Sequence, residues 1–260
     1  MVLRYAIEHM EEDEETSKAI PKWVELEYMH MRSLAGPDAH VHFTHLSRSS
    51  CQTLTALFSV HAGDEREAAG ATAHSEPILD LMRRLSIPTE RVCLLDPKAE
   101  KEISPEDGDG RFECFLFGVR TIDRQPVCAS GYCEPRSCAV YRGYSVSTQK
   151  AAVEQQFNAL PIGDDPPRDR TSELRVLGFP TRRLGPIQMT TDTALGVTKL
   201  VVQDKIPLSA IPYIDHPTIT FNPKESVEMP FRYIAQNSEP RLPPGMREHL
   251  HEDLNKSFDF

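Results

Sequence analysis

Two segments of the chain concentrate side chains that could do chemistry. Residues 163–170 hold three aspartates, two arginines and two prolines. Residues 182–193 place a glycine, a glutamine, three threonines and an aspartate between an apolar, strand-like run and a helix-forming run. A strand-to-helix junction offers backbone N–H groups to a ligand, because the first N–H groups of a helix have no partner within it. We therefore predict that both segments contribute to a ligand site.

Each segment also has a purely structural interpretation. Asp169 and Arg170 could form no more than an ion pair, and Asp192 or Thr193 could simply cap the following helix, where such residues are common. The chain contains no glycine-rich dinucleotide fingerprint, P-loop, HExxH motif or GxSxG motif, so the commonest cofactor and hydrolase assignments lack support. The residue types and their spacing therefore leave the function open.

The cysteines and histidines give little support for a metal site or a disulfide framework. The six cysteines are at positions 51, 93, 114, 128, 133 and 138. Cys93 and Cys114 lie in apolar runs, where reduced cysteine behaves as a small hydrophobic residue. The triplet from 128 to 138 lacks the CxxC pairs of most structural zinc sites. His40 and His42 share one face of a predicted strand, close to His45, and a packing role is favoured over metal binding.

The pattern of apolar residues predicts a mostly parallel α/β fold. Periodicity predicts a strand at residues 2–7, a helix around 23–28, a strand at 40–46 and a helix at 77–85. Residues 91–95 and 112–117 are continuous apolar runs, which are typical of buried parallel strands with helices on both faces. A strand at 179–184 and a helix at 193–203 follow a short helix that begins near Thr171. Ligands bind beyond the carboxyl ends of such strands.

Four segments show weaker patterns. Residues 47–75 have little periodicity and are interpreted as a surface loop or insertion. Residues 119–162 are rich in Ser, Gln and Arg without a sustained period, and are interpreted as a second insertion that is disordered or weakly packed. Residues 213–241 are expected to form short irregular elements on the sheet. The charged residues 248–260 are expected to fray.

The charge balance restricts the partners. With 39 acidic and 29 basic residues, the chain carries a net charge of −10, which favours a basic protein over nucleic acid as the primary partner. The amino-terminal residues become acidic at once and lack the apolar stretch of a secretory signal, and no apolar run approaches the length of a membrane span. We therefore expect a cytoplasmic protein.

Ten motifs, in order along most of the chain, carry a resemblance to a known family. They are YAIEHMEE (5–12), WVELEY (23–28), VCLLDP (92–97), SPED (104–107), FLFG (115–118), GDDPPRDRT (163–171), RRLG (182–185), QMTTDT (188–193), EMPFRY (228–233) and LPPGM (242–246). In these motifs the chain resembles the SPOUT (α/β-knot) methyltransferases, and among them the fungal ribosomal-protein arginine N-methyltransferase family once described as RNA methyltransferases.

The resemblance implies a fold, a cofactor and a reaction. It implies one SPOUT domain over residues 1–260, with insertions at about 47–75 and 119–162 and a C-terminal trefoil knot, an exception to the rule that chains are unknotted. It implies a monomer that transfers a methyl group from S-adenosylmethionine (SAM) to an arginine of a protein, expected to be a small-subunit ribosomal protein. The residues expected to bind SAM are Phe117, Gly118, Gly163, Asp164, Leu184, Gly185, Gln188, Met189 and Thr190.

Carboxylates are the expected catalytic groups, because a guanidinium is almost always protonated at neutral pH. One of its nitrogens must be oriented toward the methyl group of the cofactor and must lose a proton. The motif carboxylates near predicted strand ends are Glu8, Asp165, Asp169 and Glu11, of which Glu8 and Asp165 are preferred. Glu8 could alternatively be a solvated acid at the start of an acidic run, and Asp169 could serve only in a salt bridge.

One departure from the family pattern affects the expected function. Relatives connect the FxFG strand to the GDxPPRDRT motif through a few residues, whereas here residues 119–162 intervene. The stretch is either a genuine insertion or a gene-model artefact. Two other functions therefore remain open: an RNA methyltransferase of the same fold, which requires a basic groove beside the pocket, and a catalytically silent binding protein.

Overall fold

A computed structural model describes residues 2–10, 20–60, 67–118, 171–223 and 225–256. The first half of the described chain contains β1 Leu3–Glu8, α1 Lys22–Ala35, β2 Ala39–Thr44, α2 Arg48–Val60, β3 Gly70–Ala73, α3 Ile78–Leu85, β4 Val92–Leu95 and β5 Cys114–Gly118. The second half contains α4 Thr171–Arg175, β6 Thr181–Arg182, α5 Thr191–Val202, β7 Tyr213–Asp215, β8 Thr218–Asn222, β9 Glu225–Glu228, β10 Arg232–Gln236, β11 Glu239–Pro240 and α6 Met246–Lys256. Within these ranges, none of the helices is both long and apolar enough to cross a membrane.

The first six strands form one sheet in the order β3-β2-β1-β5-β4-β6, and every neighbouring pair is parallel. The predicted mostly parallel α/β sheet is therefore confirmed. Because all six strands run the same way, their carboxyl ends meet at one edge of the sheet, which we call the carboxyl edge. Glu8, Thr44 and Gly118 end the three neighbouring strands β1, β2 and β5 at this edge.

Helices cover both faces of the sheet, which explains the continuous apolar runs of β4 and β5. One core lies under α1, α2 and α5, and the other lies under α3 and α4. Alternate residues of β1 divide between these cores, since Tyr5 and Ile7 belong to the first and Ala6 belongs to the second. Each large apolar side chain buried in this way stabilises the fold by roughly 2 kcal/mol.

Helix α1 illustrates why the sequence folds as it does. Val24, Tyr28, Met31 and Ala35 follow helical spacing and are almost completely buried. The helix ends at Gly36, whose φ of 76° suits a residue without a Cβ atom. Its buried face lies against α5, so it supports the helix that follows the predicted ligand loop.

Two further features bring α5 close to its neighbours. A Cβ atom at Gly196 would lie 3.1 Å from Ile234 and 3.3 Å from Leu34, so the absence of a side chain allows α1 to approach. At Gly108 a Cβ atom would lie 2.0 Å from the backbone oxygen of Val202. Any other residue at position 108 would therefore displace the end of α5.

A buried ion pair fixes the end of β6. The Arg182 guanidinium donates two hydrogen bonds of 2.8 Å to Asp107, and both side chains are almost fully buried. Asp107 also accepts a hydrogen bond from the backbone N–H of Ser104, which closes a short helical turn. Because β6 is only two residues long, this pair supplies anchoring that the short strand ladder lacks.

Three expectations about the secondary structure are wrong. Much of 47–75 is not a loop, since it forms α2 and adds β3 to the sheet. The strand expected at 179–184 is reduced to β6. The chain does not fray from residue 248, because α6 extends to Lys256 and buries Met246 and Leu250 in a third core. Short-range periodicity missed α2, β3 and α6 because they contain few apolar residues, and those residues pack against partners that are distant in sequence.

The carboxyl-terminal region is more regular than expected. Strand β10 pairs with β7 and β11, and β8 pairs with β9 in a separate hairpin. The hairpin and α6 enclose a core with Met229, Phe231 and Tyr233. This region lies directly behind the predicted ligand loop, because Met189 and Arg232 form a parallel β-bridge. The EMPFRY motif therefore supports the site and the third core together.

Candidate functional site

Glu8 lies at the carboxyl edge as the last residue of β1, between Thr44 of β2 and Gly118 of β5 in the strand register. The hydroxyl of Thr44 and the backbone N–H of Ile78 both donate to the same carboxylate oxygen, Oε2, and the bond from Ile78 is 3.0 Å long. Because Ile78 begins α3, the carboxylate also satisfies an N–H group at the start of that helix. Glu8 is 5% exposed, so its interpretation as a solvated acid is wrong.

The surroundings of Glu8 raise the pKa of its carboxyl group. Burial raises its pKa above the usual range, while the hydroxyl of Thr44, the nearby His45 and the N–H of Ile78 act in the opposite direction. A carboxylate with a raised pKa is a better proton acceptor than a solvated one. Its position beside Gly118 and its basicity are both compatible with the predicted catalytic role, which stays a prediction.

His45 is a residue of this corner whose significance the sequence did not reveal. It follows β2 directly, and its Nδ1 atom lies 3.9 Å from Oε1 of Glu8. Its side chain is 58% exposed, and its backbone has a φ of 60°, which is unusual for a residue with a Cβ atom. The sequence grouped His45 with His40 and His42 within a strand predicted at residues 40–46, so no local signal set it apart. Glu8, Thr44, His45 and Ile78 together are called the Glu8 corner below.

Residues 184–190, called the 184–190 loop, connect β6 to α5. Leu184 and Met189 are partly buried against the same core that contains Phe117, whereas Gln188 is exposed. Gly185 has a φ of 95°, and a Cβ atom placed on it would have no atom within 4 Å. The loop therefore offers open backbone at Gly185 beside an apolar surface, as expected for a site that holds a ligand mainly through backbone groups.

The far end of the loop is tied to the carboxyl-terminal sheet. The backbone oxygen of Gln188 accepts a hydrogen bond of 2.9 Å from the N–H of Arg232. The Arg232 guanidinium in turn donates to both oxygens of Asp215 and lies 4.6 Å from the centroid of the Tyr213 ring. These contacts fix the direction in which the loop enters α5.

A buried pair anchors the start of α5. The carboxylate of Asp192 and Nδ1 of His30 on α1 are 2.7 Å apart, and both side chains are at most 4% exposed. Burial disfavours the charged carboxylate, but the hydrogen bond and charge of His30 prevail and lower the pKa of Asp192. Thr190 donates its hydroxyl hydrogen to Thr193. Asp192 is therefore a link between two helices as well as an acid at a helix start.

The strand end at residues 117–118 contributes differently from the loop. The Phe117 ring is buried in the core, 6.4 Å from the centroid of Tyr5, so only its backbone is available to a ligand at the edge. A Cβ atom on Gly118 would lie 3.2 Å from Leu174, so α4 packs closely over this strand end.

Several expectations lie outside the described residues. These are the candidate catalytic residues Glu11, Asp165 and Asp169, the candidate cofactor residues Gly163 and Asp164, the insertion at 119–162 and the cysteines between 128 and 138. Of the two preferred carboxylates, the structure describes Glu8, and Asp165 lies outside the described residues. Of the candidate cofactor residues, the structure describes the two at the end of β5 and the five in the 184–190 loop.

His40 and His42 occupy one face of β2, as predicted, and pack together with His74. Burial and the neighbouring imidazoles and arginines lower the pKa of His42 to about 3. Among the described residues, no group of three or more His, Cys, Asp or Glu side chains could hold a metal ion. The packing role is consistent with these contacts.

Comparison with known proteins identifies close relatives. The family described as "Protein arginine N-methyltransferase SFM1-like" matches residues 4–126 and 161–257. Protein arginine N-methyltransferase SFM1 of Saccharomyces cerevisiae is 31% identical over 262 residues, which cover 99% of this chain and 98% of the relative. The crystal structure of the yeast arginine methyltransferase SFM1 complexed with SAM superimposes with a TM-score of 0.67 at 29% identity, covering 98% of this chain and 92% of that one. The complex of the same enzyme with SAH gives a TM-score of 0.64 at 29% identity, covering 95% and 94%.

Proposed function

Because the chain belongs to the SFM1-like family of protein arginine N-methyltransferases, we propose that it transfers a methyl group from SAM to an arginine side chain of a small-subunit ribosomal protein. The chain is a SAM-dependent enzyme, as the complexes of its yeast relative with SAM and SAH indicate. The observation that carries the proposal is the family match over almost the whole chain, joined to a buried carboxyl group at the carboxyl edge.

The described residues fit this cofactor. Gly185 leaves open space where a side chain would stand, and Met189 and Leu184 provide an apolar surface next to it. When bound, SAM supplies a methyl group on a sulfonium centre, which needs an in-line nucleophile and little acid or base assistance of its own. The residues of the 184–190 loop therefore serve to bind and orient, and their backbone is held by Arg232 on one side and by α5 on the other.

The step that needs a catalytic side chain is the removal of a proton from the substrate arginine. A guanidinium is protonated at neutral pH, so one of its N–H protons must leave as the new N–C bond forms. We assign this task to Glu8, whose Oε2 is held by Thr44 and Ile78 and whose pKa is raised by burial. Its other oxygen, Oε1, can accept one N–H of the guanidinium in a charge-assisted hydrogen bond, which orients the substrate arginine.

The charge of the chain supports a basic protein as substrate. A net charge of −10 attracts a lysine- and arginine-rich protein and repels nucleic acid at long range. We propose that the enzyme acts as a cytoplasmic monomer, and that net repulsion from RNA confines its contacts to the protein component of the ribosomal subunit.

We further propose that the chain is threaded as the trefoil knot of the SPOUT class. The order of packing supports this topology. Leu174 of α4 lies on the face covered by α3, β6 then pairs with β4 at the edge of the sheet, and α5 returns to the opposite face against α1. The helices before and after β6 therefore lie on opposite faces of the sheet.

A transfer assay with labelled methyl groups tests the function. The protein is incubated with methyl-labelled SAM and a ribosomal extract, and portions are then digested separately with protease and with nuclease. Label that is lost with protease and appears as methylarginine after hydrolysis supports the proposal. Nuclease-sensitive label would instead identify an RNA methyltransferase, and cofactor binding without transfer to any component would identify a silent binding protein.

A further inference from the structure

The two oxygens of the Glu8 carboxylate have different surroundings. Oε2 accepts from both Thr44 and Ile78, and these two donors fix the plane of the group. Oε1 is the oxygen that faces His45, at 3.9 Å from its Nδ1 atom. This division leaves Oε1 as the oxygen that exchanges a proton, because Oε2 is already held by donors.

A proton on Oε1 needs a way out of the protein. The side chain of Glu8 is only 6% exposed, whereas that of His45 is 58% exposed. The histidine next to Glu8 in the sequence, His9, does not serve this purpose, since it is buried and its Nδ1 lies 2.7 Å from the hydroxyl of Tyr28. His45 is therefore the imidazole that joins the buried carboxylate to solvent.

The backbone around His45 is built to hold it there. The N–H of His45 donates to the backbone oxygen of Glu76 at 2.9 Å, and the N–H of Leu46 donates to that of His74 at 3.1 Å. These bonds attach the end of β2 to the connection between β3 and α3. They also keep His45 in the left-handed region at a φ of 60°, where a residue with a Cβ atom is disfavoured. The two hydrogen bonds therefore fix the backbone that carries the imidazole.

On this basis we propose that His45 is a proton relay for methyl transfer, which takes the substrate proton from Oε1 of Glu8 and releases it to solvent. The proposal rests on the proposed function, since it names a second residue of the same site. It concerns the step after the substrate proton has been lost, for which imidazole is suited because it exchanges protons near neutral pH.

The proton balance of the reaction requires such a route. An N–H bond of the substrate guanidinium is replaced by an N–CH₃ bond, and the sulfonium becomes a neutral sulfide, so one proton is released for each methyl group. Oε1 of Glu8 accepts this proton, and one water molecule that bridges the 3.9 Å from Oε1 to Nδ1 of His45 passes it to the imidazole. Water then removes the Nε2 proton of the resulting imidazolium, and exchange of the Nδ1 proton with water restores the Nε2–H tautomer, so that both side chains regain their starting forms.

The charged groups near the relay leave the path open. Glu76 contacts His45 through its backbone oxygen, while its carboxylate is paired with Arg84. His74 faces Arg84 and His42, on the far side of the same connection. In the part of the chain that the structure describes, the carboxylate of Glu8 lies 3.9 Å from Nδ1 of His45.

The test compares two substitutions that suit the backbone. Asparagine and glycine both tolerate a positive φ, so His45→Asn and His45→Gly remove the imidazole without adding strain. With labelled SAM and saturating ribosomal extract, both should reduce turnover roughly ten- to hundredfold while the Kd for SAM stays unchanged. Imidazole added to His45→Gly should restore turnover in proportion to its concentration.

His216 provides a matched control. It is an exposed histidine with a φ of 48°, and it lies between β7 and β8, outside the six-stranded sheet. His216→Gly should keep full turnover and show no response to imidazole.

Normal turnover in His45→Asn would overturn the relay, and so would a loss that imidazole does not restore while thermal stability falls in parallel. A wild-type protein that transfers no methyl group to protein would contradict the proposed function itself. The two failures are thus distinguishable, since the relay is judged only by the ratio of variant to wild-type turnover.

Discussion

The Glu8 corner and the 184–190 loop lie at the same edge of the sheet but are constructed differently. At the Glu8 corner, side chains carry the chemistry, and the strand register places Glu8 beside Thr44 and Gly118. In the loop, backbone groups and apolar surface dominate, and the positioning comes from Arg232 and from the Asp192–His30 pair behind the loop. The difference separates proton transfer from cofactor binding, so substitutions at the two places should have different kinetic signatures.

The largest expected effect is at Glu8. Glu8→Gln keeps the size of the side chain and its contact with the N–H of Ile78 but removes the proton acceptor, so turnover should fall by about a thousandfold. The Kd for SAM, measured by calorimetric titration, should be nearly unchanged. Glu90→Gln is the control, because Glu90 is exposed and lies before β4 at the opposite edge of the sheet. Equal losses of binding and turnover would show that Glu8 serves the fold alone.

The next effect concerns the support behind the loop. Asp192→Ala leaves the imidazole of His30 buried without its partner, which should lower the free energy of unfolding by about 3 kcal/mol. Affinity for SAM should decline as well, since α5 begins directly after the loop. Denaturant unfolding measures the first change and titration measures the second. Asp80→Ala, which removes a half-exposed carboxylate paired with Arg83, should change stability little. A stable Asp192→Ala protein would mean that the loop does not depend on this pair.

A moderate effect is expected within the loop itself. Met189→Glu places a charge against the apolar surface and should weaken SAM binding roughly tenfold, because the charge must be desolvated when the cofactor binds. Turnover at saturating SAM should remain close to that of the unmodified enzyme, in contrast to Glu8→Gln. Val176→Glu introduces the same charge at a residue that is 83% exposed and should be neutral. If the affinity for SAM does not change, the loop is not part of the cofactor site.

The smallest effect is a pH dependence of stability from His42, which lies on the same strand as Thr44. Burial, with the charges of His40, His74 and the nearby arginines, lowers the pKa of His42 to about 3. The unfolded chain therefore binds a proton at His42 more readily than the folded protein does. The contribution of His42 to stability is complete above about pH 6.5 and declines as the pH falls toward 3.

Between pH 7 and pH 5.5 this difference should lower the free energy of unfolding by about 1 kcal/mol. Denaturant unfolding at a series of pH values should give a shallower slope for His42→Asn than for the unmodified protein, whatever the absolute stabilities are. Parallel curves for His42→Asn and the unmodified protein would assign the acid sensitivity to other groups.

The main elements of the sheet were predictable from local patterns. The strands β4 and β5 are buried and consist almost entirely of apolar residues, β1 and β2 contain buried apolar residues, and α1 and α5 keep helical spacing on their buried sides. Such patterns survive in any tertiary context because they arise from the burial of a whole strand or a whole helix face. The parallel arrangement and the position of the ligand edge follow from the alternation of these elements.

The elements that were missed share a physical cause. Helix α2 buries only Ser50, Leu54 and Phe58, and β3 is a four-residue edge strand without large apolar side chains. Their stability comes from pairing with β2 and from packing against residues that are distant in sequence. Local periodicity is weak wherever few residues are buried, so these segments looked like loops.

The sequence by itself determined the fold class, the family and the segments that carry chemistry, because motifs and burial patterns are local properties of the chain. It also identified Glu8 and the 184–190 loop as candidates. Only the tertiary structure decided that Glu8 is buried and holds Ile78, that His45 faces its second oxygen, and that Asp192 reaches His30 on α1. These contacts join residues up to 162 positions apart, and which side chains meet at such separations depends on the sheet order and the helix packing, which no short-range pattern records.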